Sequence, residues 1–462
     1  MLNLWNDDHA AQCPSELAVR AYSSRLLGAD RALVLHGGGN TSLKTDEVLW
    51  VKGSGSDLAQ VTELDFTPLA IEPVRKLLQQ KTLSNEQMMA ALVPCVRETG
   101  RPKPSIETLL HAALPFRFVE HTHADAVLAV TNTRNGEAIA RRIFGDLAPL
   151  VPFRHSGFDL AKTSFEVFQR DRTARTIGLI LLQHGVFAFG DTAKTAYDNM
   201  LELARRAEDY LVEHGAWLLP RDEDTPRWSA LEIAHLRRDI SRAAGFPLLA
   251  RVRDDAQTLA FARRADLAQV LQEGPATPQH AVFIKRVPMV GRDVASYAAA
   301  YSRYTGGAID APDPAPRAVL DPAFGALVLG FGADYLQITD DIFLHGREIM
   351  TRASAHDRYQ GLPAHAILEA EIHYGGFEQR ILKQNPLRGF CIGMALNEDA
   401  FSASLSATLA KSGAVVVNLV GECSPESIVS QWGGLDALVL EPSKRSLAER
   451  VIPLLECAPF GG

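Results

Sequence analysis

The sequence predicts an α/β protein of two or three domains. Its 462 residues are too many for one ordinary hydrophobic core. Short β-rich runs alternate with longer helical stretches, both in the first half of the chain and near the carboxyl end. Alternation of this kind favours sheets covered by helices. Hydrophobic residues make up 47% of the chain and charged residues 22%, which fits a globular protein.

The first predicted domain, residues 1–220, contains nearly all the residues that suggest chemistry. Its β-rich runs and helical stretches are separated by polar and glycine-containing segments. A polar, proline-bearing stretch at residues 219–228 predicts a linker at its end. We predict strands at residues 32–35, 47–51, 118–120, 178–182 and 186–189, and helices at residues 15–27, 109–114 and 192–214.

Two further regions are predicted, a mixed α/β region at residues 221–385 and a tail at residues 386–462. The strands and helices of the tail alternate, which suggests a small parallel sheet. No short repeat and no low-complexity tract is evident. We predict middle-region helices at 230–243, 293–301 and 335–353 with strands at 281–285 and 326–330, and tail strands at 389–396, 414–420 and 435–440 with helices at 400–412, 424–431 and 446–455.

Charge and composition argue against several classes of function. The net charge of -8 disfavours nucleic acid as the main partner, because phosphate backbones attract basic surfaces. No run of eighteen apolar residues occurs, so we expect no membrane span. The first residues are acidic and lack the basic and apolar regions of a signal peptide. Five scattered cysteines favour reduced thiols, so we expect a cytoplasmic protein.

Three histidines form the most informative pattern in the chain. His121 and His123 end one predicted strand, and strand alternation points both side chains to the same face. His184 ends another predicted strand. Three imidazoles with a fourth position open are typical of a catalytic zinc site rather than a structural one. Ligand type favours zinc and leaves manganese, cobalt and iron open.

A carboxylate precedes the histidine pair. Glu107 lies in the segment Pro104-Ser105-Ile106-Glu107 and leads into a predicted helix. One interpretation is an acidic residue placed at a helix amino terminus, where the helix dipole favours it. The other is a general base beside the metal, with a pKa set by the cation and by partial burial. The residues alone leave both interpretations open.

Two loops rich in small residues follow predicted strands. The first is His36-Gly37-Gly38-Gly39-Asn40-Thr41-Ser42, and the second is Lys52-Gly53-Ser54-Gly55-Ser56-Asp57. Glycines let backbone N–H groups turn towards an anion, so the pair predicts a phosphate cradle. Taken alone, the first loop is slightly more typical of a tight β-turn. It has neither the Gly-Lys-Ser/Thr of a Walker loop nor the spacing of a dinucleotide fingerprint.

Taken in order, these segments resemble the class II aldolase/adducin family over residues 15–215. The resemblance implies a class II aldolase-type αβα sandwich, often assembled as a tetramer with active sites between subunits. The matching segments are Gly39-Asn40-Thr41-Ser42, Gly53-Ser54-Gly55, Pro104-Ser105-Ile106-Glu107, His121-Thr122-His123 and Gln183-His184-Gly185.

The resemblance also implies roles and a reaction. The implied reaction is the zinc-dependent, reversible cleavage of a ketose 1-phosphate, such as rhamnulose 1-phosphate, into dihydroxyacetone phosphate and an aldehyde. Residues 154–157 are candidates for the aldehyde pocket. The implied roles are metal ligation by His121, His123 and His184, acid/base catalysis by Glu107, and phosphate binding by Asn40, Ser54, Gly55 and Ser105.

The rest of the chain is similar to bifunctional rhamnulose-1-phosphate aldolase/short-chain dehydrogenase proteins. The similarity lies in Thr277-Pro278-Gln279-His280 and Lys285-Arg286-Val287-Pro288, and more loosely in Phe377-Glu378-Gln379. The tail resembles a shortened Rossmann-like domain. Its first turn, Met394–Asp399, is acidic and lacks glycine, which opposes pyrophosphate binding. We therefore expect no NAD(P).

Several alternatives stay open at this point. Relatives with the same metal site act as epimerases, dehydratases or decarboxylases, and adducin-like members are interaction proteins without the metal. The three histidines and Glu107 argue against an interaction protein. An active dehydrogenase is disfavoured by the tail. We expect a sugar phosphate as the small-molecule partner and a homo-oligomer, with a tetramer favoured.

Overall fold

A computed structural model describes residues 1–308, 311–397, 399–420, 424–444 and 449–460, with side chains omitted at 373–380, 383 and 384. The chain divides into two compact units. Unit 1 is Met1–Leu218 with Glu348–Gly361, and unit 2 is Leu219–Arg347 with Leu362–Gly462. The sequence predicts domain boundaries near residues 220 and 385. Whether the three regions fold independently stays a prediction.

Unit 1 is built on one mixed sheet of seven strands. Its strands are β1 (Asn40–Lys44), β2 (Val48–Lys52), β3 (Phe66–Ala70), β4 (Phe118–Thr122), β5 (Leu150–Val151), β6 (Gly178–Leu181) and β7 (Gly185–Gly190). They lie in the order β3-β2-β1-β4-β7-β6-β5. Neighbouring strands are antiparallel except β5 and β6, which are parallel.

Nine helices accompany this sheet among the described residues before the linker. They are α1 (Asp7–Ala11), α2 (Glu16–Ala29), α3 (Ile71–Lys76), α4 (Asn85–Leu92), α5 (Thr108–Ala113), α6 (Asp125–Thr131), α7 (Gly136–Phe144), α8 (Phe158–Asp171) and α9 (Ala193–Glu213). The long helices begin where side chains cap them. Ser15 accepts from Ala18 N at the start of α2, and Thr192 accepts from Thr195 N at the start of α9.

Strand alternation explains why both faces of the sheet are covered. Phe187 and Phe189 of β7 belong to a core cluster with residues of α3, α4, α5 and α8. Val186 and Ala188 of the same strand belong to a second cluster with residues of α6, α7 and α9. Every residue of β7 is buried, so the strand is apolar on both sides. The predicted αβα layering is therefore present in unit 1.

The strand predicted at residues 32–35 is wrong. These residues form a turn after α2, in which Leu33 N donates to Asp30 O at 3.0 Å. Their carbonyl groups instead accept hydrogen bonds from backbone N–H groups that follow the end of β4. Leu33 O accepts from His123 N at 2.9 Å, and Ala32 O accepts from Asp125 N at 2.8 Å. The apolar residues of this segment are buried because the turn covers the strand end, and not because they pair in a sheet.

The described residues of unit 2 form two sheets. Its elements are α10 (Ala230–Ala244), β8 (Leu249–Arg253), α11 (Ala256–Ala262), α12 (Leu267–Gln272), α13 (Pro278–Ile284), β9 (Met289–Val290), α14 (Val294–Thr305), β10 (Ala318–Asp321), β11 (Gly325–Gly330), α15 (Ala333–His356), α16 (Ala364–Gln384), β12 (Cys391–Ala395), α17 (Ala400–Lys411), β13 (Val415–Asn418), α18 (Pro425–Trp432), β14 (Ala437–Leu440) and α19 (Ile452–Leu455). The strand orders are β8-β11-β10-β9 and β13-β12-β14. The last part of α15, from Glu348, belongs to unit 1.

The strand predicted at residues 281–285 is also wrong, because the segment lies in α13. Thr277 caps this helix by accepting from His280 N, and Pro278 occupies its first turn. Lys285 ends it with a φ of 65°. A short apolar run fits either a strand or a buried helix, and here the capping residues decide.

The tail has the parallel sheet that its alternation predicts. Strand β12 pairs in parallel with both β13 and β14. Part of the helix predicted at 446–455 lies outside the described residues, as do Glu398 and Cys423. The described cysteines 13, 95 and 457 are free thiols. Among the described helices, none has the length and apolar character to cross a membrane.

Candidate active site

The three predicted histidines lie together on one side of the unit 1 sheet. His121 is on β4, His123 follows that strand, and His184 is in the turn between β6 and β7. Ligand atoms of the three side chains all lie within 4.8 Å of one another. Strand β7 pairs with both β4 and β6, and this arrangement brings the turn beside the end of β4. The structure therefore brings together residues that are distant in sequence.

The turn that carries His184 depends on an unusual backbone. Gln183 has a φ of 58°, and its side chain donates to Gly361 O at 2.7 Å. A Cβ on Gly185 would overlap Thr122 O and would lie 3.1 Å from His121 Cε1 and 3.2 Å from His123 Cδ2. Glycine is therefore the residue that fits where the turn approaches the other two histidines.

The hydrogen bonds of the histidines fit a metal ion. His121 Nδ1 donates to Val186 O at 3.0 Å, so the lone pair is on Nε2. His121 Nε2 and His184 Nδ1 are buried and have no hydrogen-bond partner among the described residues. Burial lowers the pKa of His121 to about 4, which keeps the imidazole neutral. The neutral imidazole of His121 and the buried, unpartnered nitrogens of His121 and His184 suit a divalent transition metal.

Glu107 is in contact with this cluster. Its Oε2 lies 3.5 Å from His121 Nε2, and its Oε1 lies 3.2 Å from His184 Nε2. The carboxylate also accepts from Asn40 Nδ2 at 2.7 Å. Burial alone would raise the pKa of Glu107, but His121, His184 and Asn40 hold it well below its ordinary value. Glu107 is thus an ionised, buried carboxylate beside the three histidines.

A residue that sequence reasoning missed holds Asn40 in position. His111 of α5 is fully buried, and its Nε2 makes a short hydrogen bond to Asn40 Oδ1. Its Nδ1 lies 2.8 Å from Ser42 Oγ. Since Asn40 Oδ1 can only accept, His111 Nε2 is the donor and Nδ1 accepts from Ser42. The Ser42–His111 and His111–Asn40 hydrogen bonds together fix the side-chain amide of Asn40 with its NH2 group towards Glu107.

The two glycine-rich loops meet the segment that carries Glu107. Gly39 has a φ of 61°, and a Cβ there would lie 2.6 Å from His121 O. Gly53 forms a β-bridge with Pro104, and Ser54 N donates to Lys103 O at 2.8 Å. Asn40 Nδ2 lies 3.2 Å from Ser105 Oγ. Of the predicted phosphate residues, Asn40 and Ser105 are buried together, and Ser54 and Gly55 are exposed at the loop.

Lys52 is the second residue that sequence reasoning missed. It ends β2, is 2% exposed, and donates from Nζ to Gly37 O and Ser56 O. One buried ammonium group therefore joins the two glycine-rich loops. Burial lowers the pKa of Lys52 to about 8, although Asp57, Asp65 and Glu107 act to raise it. The sequence signal that could have identified Lys52 is its position as the first residue of the second glycine-rich loop.

One residue of the segment proposed for the aldehyde pocket reaches Glu107. Ser156 Oγ donates to Glu107 Oε1 at 3.3 Å. Ser156 is held in turn, because Asn85 Nδ2 donates to its carbonyl at 2.8 Å. Ser156 thus contacts Oε1 of Glu107, whereas Asn40 contacts Oε2.

The chain is similar to several known proteins. A curated Bacillus subtilis (strain 168) protein described as "Uncharacterized oxidoreductase YuxG" is 29% identical over 399 residues, which are 78% of this chain and 57% of that protein. A solved N-terminal class II aldolase domain from Thermoplasma acidophilum is 36% identical, with 46% of this chain and 99% of that chain covered and a TM-score of 0.42. L-fuculose-1-phosphate aldolase from Thermus thermophilus is 18% identical, with 44% and 95% covered and a TM-score of 0.31.

Family models match two consecutive parts of the chain. Residues 19–211 match the class II aldolase and adducin N-terminal domain, and residues 228–382 match the second domain of class II aldolases. The first match covers every residue of the site described above. The chain therefore contains a class II aldolase and adducin N-terminal domain followed by a class II aldolase second domain.

Proposed function

We propose that this protein is a zinc-dependent aldolase that cleaves a ketose 1-phosphate into dihydroxyacetone phosphate and an aldehyde. One observation carries the proposal: an ionised, buried carboxylate contacts His121 and His184, two of three clustered histidines, and each of these two has a buried nitrogen without a hydrogen-bond partner among the described residues. His121, His123 and His184 would hold the metal. When bound, zinc supplies Lewis-acid polarisation of the substrate carbonyl and stabilises the negative charge that develops beside it.

Glu107 is proposed as the group that moves the proton at the substrate carbon. In the condensation direction its carboxylate accepts a proton from C3 of dihydroxyacetone phosphate. In the cleavage direction the C4 hydroxyl loses its proton as the C3–C4 bond breaks, C4 becomes the aldehyde carbon, and the electron pair of that bond passes to C3. Glu107, having taken up a proton in place of the one that the C4 hydroxyl releases, delivers it to C3. A pKa held well below the ordinary value keeps the carboxylate ready to accept. Asn40 and Ser156 bond to its two oxygens and fix its orientation.

The phosphate is proposed to bind where the two glycine-rich loops meet residues 103–105. Asn40, Ser54, Gly55 and Ser105 would contact it. Lys52 would contribute a positive charge beneath the loops, since its Nζ bonds to a carbonyl of each. Backbone amides in glycine-rich loops and a buried cation are the usual partners of a phosphate dianion.

The tail is proposed to be a Rossmann-like domain that takes no nicotinamide. Asp399 caps α17 by accepting from Ser402 N at 2.8 Å, so a carboxylate already occupies the helix amino terminus. Pyrophosphate binds at such a terminus in dinucleotide-binding domains and would be repelled here. Calorimetry with NAD and NADP checks this point. A dissociation constant below about 100 μM would contradict it, because it corresponds to a binding free energy of at least about 5.5 kcal/mol, which indicates a specific site.

Glu107→Gln provides the test of the aldolase proposal. The zinc-loaded variant should lose at least about a hundredfold in kcat, as expected for a lost acid/base group. Dihydroxyacetone phosphate is measured with a coupled reductase across a panel of ketose 1-phosphates. Glu137→Gln is a matched control, because Glu137 is exposed on α7 and pairs with Arg141.

Two results would contradict the proposal. One is full activity in Glu107→Gln, and the other is wild-type protein that releases no dihydroxyacetone phosphate from any ketose 1-phosphate in the panel. Conversion of a substrate without carbon–carbon cleavage would indicate an epimerase, dehydratase or decarboxylase at the same site. We also propose a homo-oligomer, which light scattering on the purified chain measures directly.

A further inference from the structure

Part of unit 2 repeats the architecture of the histidine-bearing part of unit 1. In unit 1 the strands β4, β7, β6 and β5 are neighbours in that order, and in unit 2 the strands β8, β11, β10 and β9 are neighbours in that order. Both sets show antiparallel, antiparallel and then parallel pairing. The order of elements along the chain also agrees, with a hairpin followed directly by a long helix in each case.

The bounds of the elements correspond residue by residue. The first residues of three pairs of elements are each separated by 140 residues. These pairs are β6 and β10 (178 and 318), β7 and β11 (185 and 325), and α9 and α15 (193 and 333). Strand β4 begins at 118 and β8 at 249, and α6 at 125 and α11 at 256, always a separation of 131. Registers agree as well: Phe118 faces Gly190, and Leu249 faces Gly330.

Local details of the two hairpins match. A Cβ on Gly185 would overlap Thr122 O, and a Cβ on Gly325 would overlap Arg253 O, the carbonyl at the corresponding position. The turn before each glycine is closed by the same bond. His184 N donates to Leu181 O at 3.2 Å, and Phe324 N donates to Asp321 O at 3.2 Å. Equal pairing, equal spacing and equal close approaches identify a repeated structure rather than a shared hairpin type.

The correspondence assigns a unit 2 residue to each proposed metal ligand. His121 corresponds to Val252, His123 to Asp254 and His184 to Phe324. Valine and phenylalanine have no ligand atom, so three-residue ligation cannot form there. Both apolar side chains are buried, with Val252 5% and Phe324 0% exposed. Buried apolar side chains therefore occupy the positions that correspond to His121 and His184.

The predicted linker packs over the same end of the repeated fold. Trp228 Nε1 donates to Asp254 Oδ2 at 3.2 Å, at the position that corresponds to His123. Arg227 N donates to Ala323 O at 2.7 Å, next to Phe324. Asp222 N donates to Ala256 O at 2.8 Å, and its carboxylate pairs with Arg263. We call residues 222–228 the strap.

We infer that unit 2 contains a second copy of the metal-binding half of unit 1, in which the metal site has been replaced by packed side chains and closed by the strap. The copy keeps the scaffold and has no catalytic metal. Of the two copies, the one in unit 1 keeps the three proposed metal ligands. This inference concerns the fold of unit 2 and stands independently of the reaction proposed for unit 1.

A ligand graft tests the correspondence. The background is His121→Ala with His123→Ala, which removes the unit 1 site. Into it are placed Val252→His, Asp254→His and Phe324→His, with Trp228→Ala to open the strap. Cobalt(II) alone is the probe, and its bound amount and visible absorption are measured after gel filtration. We expect one tetrahedral cobalt per chain in the graft and none in the background.

A control graft separates position from histidine content. It carries Arg251→His and Arg253→His in place of the substitutions at 252 and 254, so that two imidazoles point to the opposite face of β8. It should bind no cobalt. The correspondence would be overturned if the target graft folds but binds no cobalt. It would also be overturned if the target graft and the control graft bind the same amount of cobalt. Circular dichroism and gel filtration establish that each variant is folded.

A second measurement needs no graft. Hydrogen exchange of the wild-type chain is compared with and without zinc. Peptides that cover residues 118–123 and 181–187 should gain protection, whereas peptides that cover 249–254 and 321–327 should not change. Zinc-dependent protection of either unit 2 peptide would overturn the inference. Failure of zinc to protect the unit 1 peptides would instead contradict the proposed aldolase site.

Discussion

Removal of the His111 imidazole should both destabilise unit 1 and impair the carboxylate. His111→Leu deletes a donor to Asn40 Oδ1 and an acceptor for Ser42 Oγ. Ser42 is fully buried and Asn40 is 6% exposed, so water cannot replace either bond. Each buried group left unpaired costs about 1–3 kcal/mol, which gives about 2–6 kcal/mol in total. The freed Asn40 amide can also rotate away from Glu107.

Urea titration followed by circular dichroism measures the stability change, and the coupled assay measures kcat/KM. We expect kcat/KM to fall about tenfold, equivalent to about 1.4 kcal/mol, because one donor to Glu107 loses its orientation. His111→Gln retains an N–H donor and should recover part of both losses. A shift in unfolding free energy below about 0.5 kcal/mol for His111→Leu would refute the reasoning, since surface substitutions alone give that much.

Three further predictions follow from the structure. The KM for a phosphorylated substrate should rise as pH passes about 8, where Lys52 loses its charge; Lys52→Met should abolish this dependence, and a pH-independent wild-type KM would contradict the role. Gly39→Ala should lower Tm and zinc affinity more than Gly145→Ala, because both have positive φ but a Cβ at Gly145 meets open space; equal effects would contradict the close approach to His121 O. Burial raises the pKa of Glu371 to about 7, so the folded state prefers its neutral form. Stability should therefore fall by about 3 kcal/mol as pH rises from 4.5 to 7, and the urea midpoint of Glu371→Gln should lack that fall; an unchanged pH profile would contradict it.

The sequence was sufficient to predict the histidine cluster because its signal is local. His121 and His123 share a face through strand alternation, and His184 ends a β-rich run, so two short patterns predict three residues of one site. Glu107 and the glycine-rich loops were predictable as candidates for the same reason. Their convergence depends on β4 lying between β1 and β7 in the sheet, which no local pattern determines.

Other parts of the site could not be predicted for physical reasons. Lys52 and His111 act through burial, and burial of a polar side chain depends on tertiary packing rather than on sequence periodicity. The segment 32–35 has β-rich composition, but its carbonyls bond to residues 123 and 125, which are far along the chain. The repeated fold in unit 2 could not be predicted from the sequence, because Val252, Asp254 and Phe324 stand at the positions that carry histidines in unit 1.

Zinc titration of metal-free protein tests the central claim most directly. Release of dihydroxyacetone phosphate from a ketose 1-phosphate is followed as zinc is added to the chelator-treated chain. The account predicts no release before zinc, a linear rise, and saturation at one zinc per chain, with His121→Ala inactive throughout. Release of product at full rate without zinc, or none at any zinc concentration, would contradict it.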